Sequence, residues 1–137
     1  MNIVSGHGLL LKLDFADGAP CRCKRTFLVI NVDQNTNRLE LLNVSSIEGK
    51  EHKLLFETNE RLNNHKPPFN LPSFVKMDAL YEVDYFPELE KRILHNRQPY
   101  NTQELNRIVD KFNAIKLSQK FSSASYTINQ VKTANSL

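Results

Sequence analysis

The chain has 137 residues, enough for one domain with its own hydrophobic core. Hydrophobic residues make up 40% and charged residues 24%, which is typical of an ordinary soluble globular protein. The net charge of +3 predicts only a mild preference for a polyanionic partner and excludes the charge density of a strong nucleic-acid binder.

The cysteines and the apolar segments limit the chemistry further. Cys21 and Cys23 are one residue apart, and no second Cys pair or Cys/His set at ligand spacing accompanies them. The sequence therefore predicts no metal site, no cofactor and no disulfide framework, and reduced thiols favour a cytoplasmic location. No segment has the apolar length of a membrane span, and the N-terminus lacks the pattern of a signal peptide, so no membrane partner is expected.

The first half of the chain predicts three strands. Residues 9–15 form the first, and Asp17-Gly18 is a strong turn signal after it. The apolar block in residues 26–32 predicts a strand that is buried on both faces. A polar turn then leads into residues 38–45, which predicts an antiparallel hairpin.

The next segments predict two further strands and a loop. Residues 52–57 predict a short fourth strand, and the Pro- and Asn-rich residues 59–72 predict a loop. Residues 73–83 have the composition of a fifth strand. Strand alternation predicts that its core face holds Val75, Met77, Ala79 and Tyr81.

The C-terminal part predicts one helix and a tail. Asn101 is expected to cap a helix, with Glu104 as its capping-box partner. Apolar residues then recur at helical spacing: Leu105, Ile108, Val109, Phe112 and Ile115. We expect one mainly β (α+β) domain over residues 1–117, a small barrel or strongly bent sheet closed by this helix, and a flexible polar tail over residues 118–137.

Polar residues that suit phosphodiester chemistry lie at the ends of these strands. Basic residues precede the second strand (Arg22, Lys24 and Arg25), a serine pair ends the third (Ser45 and Ser46), and Lys76 and Asp78 lie within the fifth. Antiparallel pairing would place Arg25 and Ser45 on one rim of the sheet. A guanidinium can hold a phosphate, a carboxylate can accept a 2′-hydroxyl proton, and a cation can protonate the leaving oxygen. The same residues also fit solvated strand ends, a turn and an exposed ion pair.

Several segments in order resemble the MazF/PemK (Kid) family of toxin endoribonucleases. "KRTFLVI" resembles the family's Arg-containing strand, "LLLKLDFADGAPCRC" its first strand and loop, and "LELLNVSS" the strand that ends in a Thr/Ser motif. "SFVKMDALYEVD" is similar to a later strand that carries Arg and Asp, and "NTQELNRIVDKFNAI" to the closing helix. The resemblance covers about residues 5–116.

The resemblance implies an SH3-like barrel that forms a homodimer, cuts single-stranded RNA at short specific sequences and is neutralised by an antitoxin protein. It implies catalytic roles for four residues (Arg25, Ser45, Lys76 and Asp78) and substrate binding by three (Arg22, Lys24 and Ser46). Phe69, Phe74 and Tyr81 are candidates for base stacking, although aromatic residues near strands also fit the core.

The chain departs from the family pattern at three positions. Thr26 stands where the family has Pro, Ala19 stands about where some members have His, and Lys76 lacks the fork of an arginine. These departures leave open a non-catalytic barrel that binds a protein or nucleic-acid partner.

Overall fold

The computed structural model describes residues 1–118 and 121–137, which form a mixed α+β protein on a six-stranded sheet. The strands are β1 (Gly8–Leu11), β2 (Arg25–Asp33), β3 (Arg38–Ser46), β4 (Asn59–Arg61), β5 (Ser73–Asp84) and β6 (Ser122–Tyr126). The α-helices are α1 (Thr102–Ser118) and α2 (Ile128–Asn135). Short 3-10 helices cover Glu51–Leu55, Pro87–Arg92 and His95–Arg97.

The sheet has the order β1-β2-β3-β5-β4, with neighbouring strands antiparallel. β6 pairs in parallel with the second half of β5. The predicted fold class is confirmed, since the protein is mainly β with a small barrel-like sheet and a helix that packs on it. None of the helices in the described part of the chain is long and apolar enough to cross a membrane.

A large irregularity between β3 and β5 bends the sheet. Leu41 pairs with Tyr81, but Asn43 pairs with Lys76, so Leu42 lies opposite a stretch of four residues, 77–80. Side-chain alternation is interrupted there, so the residues of β5 that were predicted to share one core face lie on both faces of the sheet. Met77 packs in the core on one face of the sheet, whereas Tyr81 packs in the core on the other.

Both faces of the sheet are covered by hydrophobic residues. On one face, Leu28 and Ile30 pack against the predicted apolar stripe of α1, in which Phe112 is 1% exposed. On the other face, Phe27 and Val29 lie in a core that also includes residues from the N-terminus, from the 3-10 helix after β5 and from α2. The apolar block of β2 is therefore buried on both sides, as its sequence predicts.

Two predicted segments and one predicted capping box differ in the structure. The predicted fourth strand, 52–57, mostly forms the 3-10 helix Glu51–Leu55, and β4 lies inside the predicted loop 59–72. Asn101 Oδ1 accepts the backbone N–H of Glu104 at 3.0 Å, as a cap does, but the Glu104 carboxylate binds Arg107 rather than closing the capping box.

The predicted polar tail contains β6 and α2. Val131 of α2 is fully buried, and the Asn135 side chain accepts from the backbone N–H of Lys12 at 2.7 Å and donates to its carbonyl oxygen at 3.0 Å. Thr127 and Gln130 form a capping box at the start of α2. Residues 119 and 120 of the predicted tail lie outside the described residues.

Candidate functional site

A cleft of about 600 Å³ lies at the rim of the sheet where β2 begins and β3 ends. We call it the basic cleft, because four cationic side chains line it and none of its lining residues in the described chain is Asp or Glu. The cations are Lys24, Arg25, Lys50 and Lys76. Hydroxyl groups of Thr26, Ser45, Ser46 and Ser73 also line it, and Phe69, Leu71 and Leu94 contribute apolar surface.

A second cavity of about 150 Å³ adjoins the basic cleft. We call it the acidic pocket, because Asp17 and Asp78 line it. Phe15, Arg25, Asn43 and Lys76 line both cavities and therefore mark their junction. Arg25 and Lys76 thus meet the candidate base, Asp78, at one place on the surface.

The strand register explains why residues distant in sequence meet here. Thr26 pairs with Val44, so the start of β2 lies beside the end of β3, where Ser45 and Ser46 are. On the other side of β3, Asn43 pairs with Lys76 of β5. Arg25 and Ser45 line the same cleft, which is the arrangement that the predicted hairpin implies.

Arg25 is held by neutral groups. Its Nη2 donates to the carbonyl oxygen of Leu13 at 2.8 Å and its Nη1 to the Tyr81 hydroxyl at 3.3 Å. The guanidinium lies 4.3 Å from the ring centre of Phe15 and 5.2 Å from those of Phe27 and Tyr81. None of the ion pairs among the described residues involves Arg25. Its positive charge is oriented but not neutralised by the protein.

Lys76 is half-buried at the junction, and its environment favours loss of its proton. Burial lowers the pKa of Lys76 below 10.5, Asp78 opposes this shift, and the positive charges of Lys53, Arg25 and Lys50 add to it. Asp78 itself is exposed on the wall of the acidic pocket. A lysine with a lowered pKa is a better proton donor than an ordinary solvated lysine.

The end of β3 carries a network of side-chain hydrogen bonds. Lys50 Nζ donates to Ser45 Oγ at 2.9 Å, and Thr26 Oγ1 donates to the Val44 carbonyl oxygen at 2.8 Å. Asn43 is buried, and its Nδ2 donates to the Thr26 carbonyl oxygen at 3.0 Å. Thr26, which departs from the family pattern, is therefore part of the β2–β3 connection at the cleft.

Only some of the remaining predicted site residues line the basic cleft. Lys24 and Ser46 line the basic cleft, whereas Arg22 is exposed and lines neither cavity. The three aromatic stacking candidates belong largely to the interior, with exposed fractions of 0–4% for Phe74, Tyr81 and Phe69. Phe69 still lines the basic cleft.

Sequence reasoning missed several lining residues, among them Lys50 and Phe15. Lys50 follows the turn at Gly49, where φ is +76°, a conformation that glycine adopts without strain. That turn brings the lysine back towards the serine pair, so a basic residue just after such a turn is the signal that could have identified it. Phe15, at the end of the predicted first strand, is 37% exposed and lines both cavities.

The cysteines line neither cavity; Cys21 is buried, Cys23 is exposed, and both are free. Within residues 1–118 and 121–137, no group of three or more His, Cys, Asp or Glu side chains could hold a metal ion.

No protein-family model matches this chain, and no curated protein matches it at a significant level. Function is therefore inferred from the chemistry of the two cavities and from the resemblance of the ordered motifs.

Proposed function

We propose that the protein is a metal-independent endoribonuclease that acts on single-stranded RNA. One observation carries the proposal: a cleft lined by four cations, with no carboxylate among its described lining residues, opens at Arg25 and Lys76 onto a pocket that contains Asp78. Cations and hydroxyl groups suit a phosphodiester backbone, and the apolar part of the cleft suits unstacked bases.

The proposed reaction is a transfer within the RNA. Asp78 accepts the proton of the 2′-hydroxyl, and the 2′-oxygen forms a bond to phosphorus while the bond to the 5′-oxygen breaks. Arg25 stabilises the charge on the phosphate oxygens, and Lys76 donates its proton to the departing 5′-oxygen. The products are a 2′,3′-cyclic phosphate and a 5′-hydroxyl. No metal is required, because the substrate supplies the nucleophile.

The biological setting follows from the resemblance alone. We propose a cytoplasmic toxin that acts as a homodimer and is neutralised by an antitoxin protein. Such a nuclease is expected to stop cell growth when it is expressed without its antitoxin, and Arg25→Ala is expected to relieve that arrest.

A non-catalytic role in nucleic-acid binding is the second candidate. It is favoured by the contacts of Arg25, whose Nη2 already donates to the Leu13 carbonyl oxygen and whose guanidinium lies over the Phe15 ring. An arginine in this setting can bind a phosphate without promoting its transfer. The two candidates differ in whether RNA is cut.

The test is incubation of the purified protein with single-stranded RNA in EDTA. The wild type is expected to give discrete cuts, and Arg25→Ala to slow cutting about a hundredfold or more, as loss of one donor to a developing oxyanion does. Arg61→Ala is the matched control, because Arg61 is exposed and lines neither cavity. RNA that binds but remains intact would favour the second candidate, and equal loss in both variants would contradict the role of Arg25.

A further inference from the structure

We propose that Lys50 and Ser45 form a second phosphate subsite, which binds the phosphate next to the one held by Arg25 and Lys76. The ligand is then an oligonucleotide with at least two consecutive phosphodiesters, rather than a mononucleotide. This inference rests on the proposed function in one respect, that the ligand of the basic cleft is a single-stranded nucleic acid.

The position of Lys50 separates it from the proposed reaction centre. Arg25 and Lys76 line both cavities, whereas Lys50 and Ser45 line only the basic cleft. The pair therefore lies on the part of the cleft away from Asp78. A phosphate bound there would not be the one that Asp78 and Lys76 act on, so Ser45, to which the resemblance gives a catalytic role, is assigned here to the neighbouring phosphate instead.

The hydrogen bond between the two side chains leaves donors for an anion. Ser45 Oγ accepts a hydrogen bond from Lys50 Nζ at 2.9 Å, so the hydroxyl hydrogen of Ser45 points elsewhere, and no acceptor for it occurs among the described residues. The ammonium group keeps two further N–H donors. Together the pair offers three hydrogen-bond donors and a full positive charge. These groups can bind one or two oxygens of a phosphate.

The charge around Lys50 also favours an anion. Lys50 forms no ion pair with a carboxylate of the described chain. Its charge acts on Lys76, together with those of Arg25 and Lys53. Like charges that face one cleft repel each other, and two bound phosphates would offset that repulsion more fully than one.

The experiment measures binding of a short single-stranded RNA in which every 2′-hydroxyl is methylated, because this ligand cannot be cut by the proposed reaction. Binding is measured over a range of salt concentrations for the wild type, Lys50→Ala and Lys53→Ala. Lys53 is the matched control, since it acts on the same lysine electrostatically but lines neither cavity. A plot of log K against log salt has a negative slope. For Lys50→Ala this slope is expected to become shallower by about 0.7, the value for one phosphate contact on a single strand. Affinity is expected to fall about tenfold, as for loss of a charged hydrogen bond.

A second set of ligands identifies the phosphate. Each phosphate in turn is replaced by an uncharged methylphosphonate. The wild type is expected to lose affinity at two adjacent positions, and Lys50→Ala to become insensitive at one of them, with a smaller effect of the same kind in Ser45→Ala. Thermal unfolding of each variant checks that the fold is retained.

The results separate this inference from the proposed function. Position-specific insensitivity in Lys50→Ala supports the second subsite even if unmodified RNA is never cut. An unchanged salt slope, equal effects of Lys50→Ala and Lys53→Ala, or no binding by the wild type would overturn it, even if unmodified RNA is cut.

Discussion

At the scale of single residues, Arg25 is positioned by a carbonyl oxygen and by aromatic rings. The bond to Leu13 O fixes one end of the guanidinium, and the rings of Phe15 and Tyr81 restrict its plane. Because these groups carry no negative charge, they orient the arginine without reducing its attraction for a phosphate. A lysine would keep the charge but lose this planar arrangement.

The pH dependence of cleavage tests the role of Lys76. A proton donor must be protonated, so the rate is expected to fall as pH rises through the pKa of Lys76, which burial places below 10.5. In Lys76→Arg this decrease with pH should disappear, and the rate at neutral pH should be lower, because a guanidinium does not give up its proton. A pH–rate profile of initial cleavage checks this. The same descending limb in both proteins would contradict the assignment.

Because His7 is buried, the protein is expected to become less stable in mild acid. The buried ring accepts the Val4 N–H at Nδ1, at 3.1 Å, and therefore donates from Nε2 to the Arg97 carbonyl oxygen, also at 3.1 Å. Burial lowers the pKa of His7 below 6.5; the hydrogen bond to the Arg97 carbonyl oxygen and the charge of Glu90 oppose this shift, and the charge of Arg97 adds to it.

Because the folded state favours neutral His7, the free energy of unfolding is expected to be highest above pH 6.5 and to fall as pH decreases from there towards the folded pKa. Denaturant titrations at a series of pH values measure this. In His7→Gln the fall over this interval should be smaller. An equal fall in both proteins would show that other groups cause it.

The residues of the candidate site were predictable where they lie on strands. Arg25, Ser45, Lys76 and Asp78 belong to segments whose apolar patterns mark them as strands, and antiparallel pairing implies that strand ends meet. Lys50 lies in a turn, where no periodic pattern reports the direction of a side chain. Strand alternation predicted the burial of Tyr81, but its place in a different core from Met77 depends on the bend in β5, which the sequence does not reveal.

At the scale of elements, the C-terminal segment packs on the sheet through few side chains. The exposed strand β6 is rich in serine, and Tyr126 at its end stacks on Tyr81 with ring centres 6.3 Å apart. In α2, Val131 is fully buried and Asn135 bonds to the backbone of Lys12. The segment therefore contacts Tyr81, which also bonds to Arg25.

Two substitutions in α2 test whether this packing stabilises the fold. Val131→Ala is expected to lower the free energy of unfolding by about 2 kcal/mol, the value for a buried valine side chain. Ile128→Ala, on the same helix, is expected to have a much smaller effect, because Ile128 is 36% exposed. Chemical denaturation compares the two variants. Equal, small effects would indicate that the segment contributes little to stability in solution.

Composition explains why the sequence predicted a tail here. The segment is dominated by Ser, Thr, Asn and Gln, which are typical of mobile chain ends. Its position depends on single residues such as Val131, which packs in the second core, and Asn135, whose partner Lys12 lies 123 residues away in the sequence. Local sequence patterns do not reveal such long-range contacts.

At the scale of the whole molecule, the sheet is buried on both faces and the candidate site lies at its rim. The central strands β2 and β3 are covered by α1 on one side and by the second core on the other. This arrangement leaves the ends of the strands as the place where polar side chains reach the surface. The β2–β3 hairpin, strand β5 and the amphipathic helix α1 were predictable from apolar periodicity, whereas β4, the bend and the parallel strand β6 depend on tertiary packing.

The chemistry of the RNA ends tests the central claim most directly. Purified protein is incubated with single-stranded RNA in EDTA, and the fragments are analysed by mass spectrometry. The proposed transfer predicts 2′,3′-cyclic phosphate and 5′-hydroxyl ends, and no cutting where the 2′-hydroxyl is methylated. Fragments with 5′-phosphate ends would show attack by water and contradict the roles of Asp78 and Lys76, and intact RNA would contradict the nuclease itself.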